Sequence, residues 1–395
     1  MKYLKIAKAS FLSIWLLISL GVQANEPLLV KKQVFEMERF ETFAGKTIKQ
    51  VKLGWESYGT LNADKSNAIL VTHYFTGNSH AAGKYHPNDE KAGYWDALIG
   101  PGKAIDTNRF YVVSMDTFSN VGANDPNVIT TGPASINPDT GKPYGLSFPV
   151  LTIRDFVNAQ KALLDTLGIN KLHAVVGPSM GSMQAIDWAS AYPDRVERML
   201  SVIGTGHFDA WSTISLHQWG VPIKLDPNWQ GGDYYGKAAP TEGLVGALKL
   251  ITLNALHPEF INASNSAFSP LEKAPMQDIL AQHSAVNWID ERARGRAALM
   301  DANHILYLIR ACQLFVAGHD GDLKTGLAKI KAKTLFLPSA GDLLLMPHLA
   351  KASHDQLKAM GKDSEYAELT GTFGHLDGFF AMSPHEQKIR EFLEN

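Results

Sequence analysis

The chain has 395 residues, 45% of them hydrophobic and 19% charged, enough for a large core in about two domains or one α/β domain with an insert. A formal net charge of -2 without long basic or acidic blocks argues against nucleic acid or an anionic membrane as a partner. Cys312 is the single cysteine, which excludes an intramolecular disulfide, and the 14 histidines show no metal-ligand spacing. At the N-terminus, Lys2, Lys5 and Lys8 precede an apolar stretch from Ser10 to Leu20, and Val22-Gln23-Ala24 offers the small residues a signal peptidase reads. Residues 1–24 therefore read as a cleaved secretory signal. The apolar stretch falls short of the roughly 18–20 residues of a spanning helix. The expected mature protein starts near Asn25, is exported to the periplasm or beyond, and keeps no stable membrane insertion.

Loosely alternating residues predict strands over Gln33–Glu41 and Lys49–Tyr58, followed by continuous apolar strands over Ala68–His73 and Phe110–Met115. Ser119–Gly145 is rich in Gly, Pro, Asn and Asp and reads as a long surface loop. Thr152–Leu167 has helical periodicity and stops at Gly168. A buried strand from Leu172 then runs into Gly177-Pro178-Ser179-Met180-Gly181, with a helix over Met180–Tyr192 and another strand over Met199–Ile203. Alternating strands and helices predict an α/β fold with a mostly parallel sheet covered on both faces. Residues 205–310 contain no strand of comparable quality and read as an inserted helical lid. The core, residues 25–204 and 311–395, resumes with strands at Lys333–Pro338 and Glu365–Leu369 and closes on a helix over Pro384–Leu393.

Strand, Gly-x-Ser-x-Gly and helix in that order form the setting of a nucleophile elbow, a turn so sharp that side chains at Gly177 and Gly181 would collide with their neighbours. The turn lifts the Ser179 hydroxyl and aims the Met180 N–H and the helix N-terminus at any oxyanion formed there. A nucleophilic serine needs a base and a group to orient it. Asp342 follows the strand ending at Leu337, and His375 follows the strand ending at Leu369, the chain order this fold uses. The candidate catalytic residues are thus Ser179, Asp342 and His375. The backbone N–H of Phe75, in the loop after the early strand, is the second oxyanion donor beside Met180. No cofactor and no metal is called for.

Several long segments resemble the homoserine O-acetyltransferase family of α/β hydrolases: Tyr58-Gly59-Thr60-Leu61-Asn62, residues 95–103, 131–138, 141–145 and 150–160, Trp229 with residues 231–235, and Asp301-Ala302-Asn303. The resemblance implies a serine acyl-enzyme, a helical lid over the site and, in many members, a homodimer formed through that lid. It supports Ser179, Asp342 and His375 position by position. This chain departs from the family in four places. Pro178 and Ser182 replace small glycines beside the nucleophile. The aspartate that follows the catalytic histidine in the family is Leu376 here, and a lid Tyr-Arg pair that helps bind the amino acid aligns with Ala255 and Leu256. Asp377, one position late, and Tyr235 are the candidate substrate-binding residues. A dry pocket must pair both charges of an amino acid, and this chain offers no clear set to do so. The expected activity is hydrolysis of a small-molecule acyl ester. The alternatives are O-acyl transfer from acetyl-CoA and a non-catalytic binding protein on a hydrolase scaffold.

Overall fold

The computed structural model describes residues 28–319 and 321–394, so the expected signal peptide, residues 1–24, lies outside the described residues. An eight-stranded sheet is built from β1 (Gln33–Glu41), β2 (Thr47–Tyr58), β3 (Ala68–Thr72), β4 (Tyr111–Met115), β5 (Leu172–Pro178), β6 (Val196–Val202), β7 (Lys333–Leu337) and β8 (Ser364–Tyr366). Their order is β1-β2-β4-β3-β5-β6-β7-β8. β2 runs antiparallel to both neighbours, and every pairing from β4 to β8 is parallel. The edge strand β1 alternates half-buried and exposed residues from Gln33 to Glu38 and then buries Phe40, while every residue of β3 is buried. A parallel strand covered on both faces has no solvent side to alternate toward.

Helices α1 (Ile153–Thr166) and α2 (Met180–Ala191) follow from the chain's local signals. Thr152 and Asp155 form a reciprocal capping box at the start of α1, and Gly168 takes φ +71° just past its end. α2 is buried at every residue from Met180 to Ser190. Its burial on every side, with Ser182, Gln184 and Asp187 each hydrogen-bonded inside the protein, suits a helix lying between the sheet and its neighbours rather than at the surface.

Between β6 and β7 the chain leaves the sheet through α3 (Ala210–Leu225), α4 (Thr241–Ala255), α5 (Pro258–Ser264), α6 (Lys273–Gln277), α7 (Ser284–Ala297) and α8 (Ala302–Gln313), then returns through α9 (Leu323–Lys329). Backbone hydrogen bonds from Phe208 N to the Phe315 carbonyl (3.2 Å) and from Ala317 N to the Gly206 carbonyl (2.8 Å) draw the two crossings together. That neck assigns all of α8 to the excursion, past the boundary expected at residue 310. α10 (Pro347–Ala359) and the short α11 (Asp377–Phe380) precede the closing α12 (Glu386–Glu394). The strand expected over Glu365–Leu369 is shorter: its ladder ends at Tyr366, and Leu369 rejoins only through an isolated bridge to Ser339. That bridge holds the Asp342 loop beside the His375 loop.

Candidate active site

β5 delivers Ser179 to the rim of the sheet with φ 58° and ψ -122°, a conformation that costs a non-glycine residue about 1–3 kcal/mol. The neighbouring glycines make the turn possible. A Cβ on Gly177 would stand 2.2 Å from Thr72 Oγ1, and one on Gly181 would stand 2.1 Å from the Thr72 carbonyl oxygen. Thr72 closes the contact by donating its hydroxyl to the Gly181 carbonyl at 2.7 Å. Ser182, which replaces a family glycine, shares a 2.6 Å hydroxyl–hydroxyl hydrogen bond with Ser201 on β6 and so fits beneath the elbow.

Two loops complete the constellation. His375 Nε2 lies 2.7 Å from Ser179 Oγ, and His375 Nδ1 lies 2.6 Å from Asp342 Oδ2. All three residues are buried. The other Asp342 oxygen accepts from the backbone N–H groups of Leu344 (2.8 Å) and Leu345 (3.0 Å). Those bonds fix the carboxylate toward the imidazole, a geometry that would keep the ring proton on Nδ1 and leave Nε2 able to accept one from serine. Met180 opens α2, so its N–H has no acceptor four residues back and remains available to an anion at the helix N-terminus.

The loop carrying Phe75 is braced by His73. Burial holds the His73 pKa low. Its neutral ring donates from Nδ1 to the Tyr74 carbonyl (2.7 Å) and accepts at Nε2 from Thr117 N (3.0 Å). His73 is therefore a support of that loop rather than a reacting group.

A cavity of about 650 Å³ opens in front of Ser179 and His375, walled by Tyr74, Phe75 and Trp219, by α4 and α7 of the lid, and by Phe379 and Phe380. Leu376, Ala255 and Leu256, the positions at which the sequence resemblance leads us to expect acceptor-binding residues, all line it. Behind Ser179 lies a smaller compartment of about 30 Å³, which shares Phe75, Trp219 and Leu344 with that cavity and is lined further by Met183, Phe208, Leu216, Cys312 and Leu345.

Neither expected substrate-binding residue lines the cavity, and each is corrected by its partners. Asp377 is fully buried, accepting from Ser339 Oγ (2.6 Å) and from Phe373 N (3.1 Å). It joins the acid loop to the histidine loop, and both its oxygens are used in doing so. Tyr235 donates its hydroxyl to Asp301 (3.1 Å), alongside Tyr234 (2.7 Å), while Asn303 reaches the Gly232 carbonyl and the Trp229 indole donates to Asn303. The lid residues that match the family are thus a structural knot. The residue the sequence did not single out is Arg296 of α7, in the cavity wall. Residues 292, 294 and 296 are all arginine on one helix, and nothing in their spacing says which turns inward.

Residues 123–377 match the family model for the α/β hydrolase fold. The homoserine O-acetyltransferase of Symbiobacterium thermophilum is 37% identical over 358 residues, covering 89% of this chain and 91% of its own. The chain belongs to the homoserine O-acetyltransferase family of α/β hydrolases. The crystal structure of the homoserine O-acetyltransferase from Bacillus anthracis superposes with a TM-score of 0.90 at 39% identity, covering 93% and 98% of the two chains. The crystal structure of esterase E22 superposes with a TM-score of 0.92 at 63% identity, covering 93% and 100%. The family thus spans acetyltransferases and an esterase on one scaffold. Membership makes this chain an enzyme of the acyltransferase and hydrolase type and removes the non-catalytic alternative.

Proposed function

We propose that this enzyme is an exported serine esterase that cleaves short-acyl esters through an acyl-enzyme on Ser179, with water as the final acceptor. His375 takes the Ser179 proton as Oγ attacks the ester carbonyl, and the Met180 and Phe75 backbone N–H groups receive the developing oxyanion. Collapse of the tetrahedral species expels the alcohol, which takes the proton from His375. Water, activated by the same imidazole, then releases the acid. Asp342 keeps the imidazole in the required tautomer and stabilises its protonated form.

The observation that carries hydrolysis over transfer is the character of the wall beside His375. Leu376, Ala255 and Leu256 offer no charge to an amino-acid acceptor, and burying its ammonium against them would be costly. The likeness to esterase E22 points the same way. The compartment behind Ser179 is much smaller than the cavity in front of it and lined by apolar side chains, which suits a short acyl group.

O-Acetyl transfer from acetyl-CoA is the second reading, favoured by the curated relatives, which are named homoserine O-acetyltransferases. Assay of p-nitrophenyl acetate and p-nitrophenyl hexanoate beside acetyl-CoA with homoserine separates the two. The expected result is turnover of the acetate ester, with the hexanoate slower by at least about tenfold and negligible CoA-dependent transfer. Efficient transfer with negligible ester hydrolysis would establish the second reading instead.

A further inference from the structure

The three arginines of α7 settle their charges differently. Arg294 forks onto both oxygens of Glu242 (2.8 Å each) and also reaches Asp290 (2.6 Å). Arg292 lies over the Trp288 ring, 3.8 Å from its centroid, at the exposed rim of the cavity. Arg296 is more buried than either, yet its hydrogen bonds run only to Thr252 Oγ1 and, at 3.4 Å, to the Arg292 carbonyl. Among the described residues no carboxylate stands within ion-pair distance of it. Burial draws the Arg296 pKa down, and the influence opposing that comes from Tyr74 rather than from an acid. A half-buried guanidinium without an anion is unfavourable by itself, and its planar fork matches a carboxylate.

The cavity tells which half of a substrate would meet it. The group leaving the acyl-enzyme must receive a proton from His375, so it occupies the large cavity that His375, Leu376, Phe379 and Arg296 share. The small compartment behind Ser179 contains no charged side chain. Of the ionised residues lining the large cavity, Lys91, Arg292 and Arg296 are cationic, and the one carboxylate, Glu291, is exposed at the rim. Such a lining concentrates anions.

We propose that Arg296 receives a carboxylate carried by the alcohol half of the ester, so that the preferred substrates are short-acyl esters of hydroxy acids. The proposal rests on Ser179 and His375 acting as described above. It excludes amino-acid esters as the best substrates, because Leu376 stands where an ammonium would need an acid.

The test compares 4-acetoxybutanoate with 4-acetoxybutanamide, a pair alike in size and differing in charge. The wild type is expected to favour the carboxylate by at least about tenfold in kcat/KM, an ordinary gain for one charge-assisted fork. Arg296→Met should abolish the preference through KM, Arg296→Lys should restore part of it, and Arg294→Met should keep the wild-type ratio. A thermal melt and fluorophosphonate labelling of Ser179 verify that each variant is folded. Equal wild-type rates on the two esters, or a preference that survives Arg296→Met, would overturn the assignment. If p-nitrophenyl acetate is not hydrolysed at all, the esterase reading fails separately. The same comparison is then made with 4-hydroxybutanoate and its amide as acceptors from acetyl-CoA, where the same two outcomes decide the role of Arg296.

Discussion

A serine held at φ 58° stays there only because its surroundings permit no other path for the chain. Thr72 presses on both elbow glycines, and Gln184 of α2 reaches back to the His73 carbonyl at 3.2 Å, so the nucleophile and the Phe75 loop are positioned against each other. Asp342 is the residue at which a one-atom change is most informative. Replacing it with asparagine keeps the shape and one acceptor for the Leu344 and Leu345 N–H groups. An amide N–H facing His375 Nδ1 would instead force the wrong tautomer. Asp342→Asn should therefore lower kcat by on the order of 10⁴ while KM and the thermal midpoint change little. Steady-state kinetics on p-nitrophenyl acetate checks this, and a loss below about tenfold would remove Asp342 from the relay.

At the scale of elements, the Phe75 loop depends on a buried charge cluster that joins β2 to the segment after β3. Glu56 of β2 receives hydrogen bonds from Tyr58 (2.8 Å) and Tyr85 (2.6 Å), and lies 2.8 Å from Lys32 Nζ and 3.0 Å from His80 Nδ1. Asp116, 3.7 Å from the same Lys32 ammonium, holds Ser79 N at 2.7 Å. Burial alone would raise the Glu56 pKa. The His80 hydrogen bond, the Lys32 charge and the Tyr85 hydroxyl outweigh it and bring the value down to about 2. A carboxylate depressed in the folded state stabilises the fold above its unfolded pKa, and that contribution fades as pH falls from there through the folded value. Urea midpoints should therefore show the wild type more stable than Glu56→Gln at neutral pH, with the gap narrowing as pH falls from roughly 5 toward 2. A gap independent of pH would show that the cluster acts through packing alone.

At the scale of the whole molecule, the lid leaves Trp211 and Ile214 of α3 and Leu253 of α4 exposed. Leu271, Ile279 and Leu280, elsewhere in the lid, are more exposed still, and apolar side chains left in this way would suit the homodimer through the lid that the family resemblance implies. Light scattering should give twice the protomer mass, and Trp211→Glu should convert the particle to a monomer. A monomeric wild type at micromolar concentration would rule the dimer out.

What could be read from the residues alone was whatever depends on local chain geometry. The apolar run into Gly177-Pro178-Ser179, the glycines on either side and the acid and histidine after successive strands are short-range patterns, since period and turn chemistry act over a few residues. The strand at Gln33–Glu41 was legible to the residue, whereas β8 was overdrawn because the ladder past Tyr366 depends on how β7 ends. Asp377 and Tyr235 looked available for substrate because their identities say nothing of their partners. Only the folded chain turns Asp377 onto Ser339 and Phe373, Tyr235 onto Asp301, and Arg296 into the cavity without an acid. Which polar groups are consumed and which are left for a ligand is set by contacts between residues tens to hundreds of positions apart, and no window along the chain contains that information.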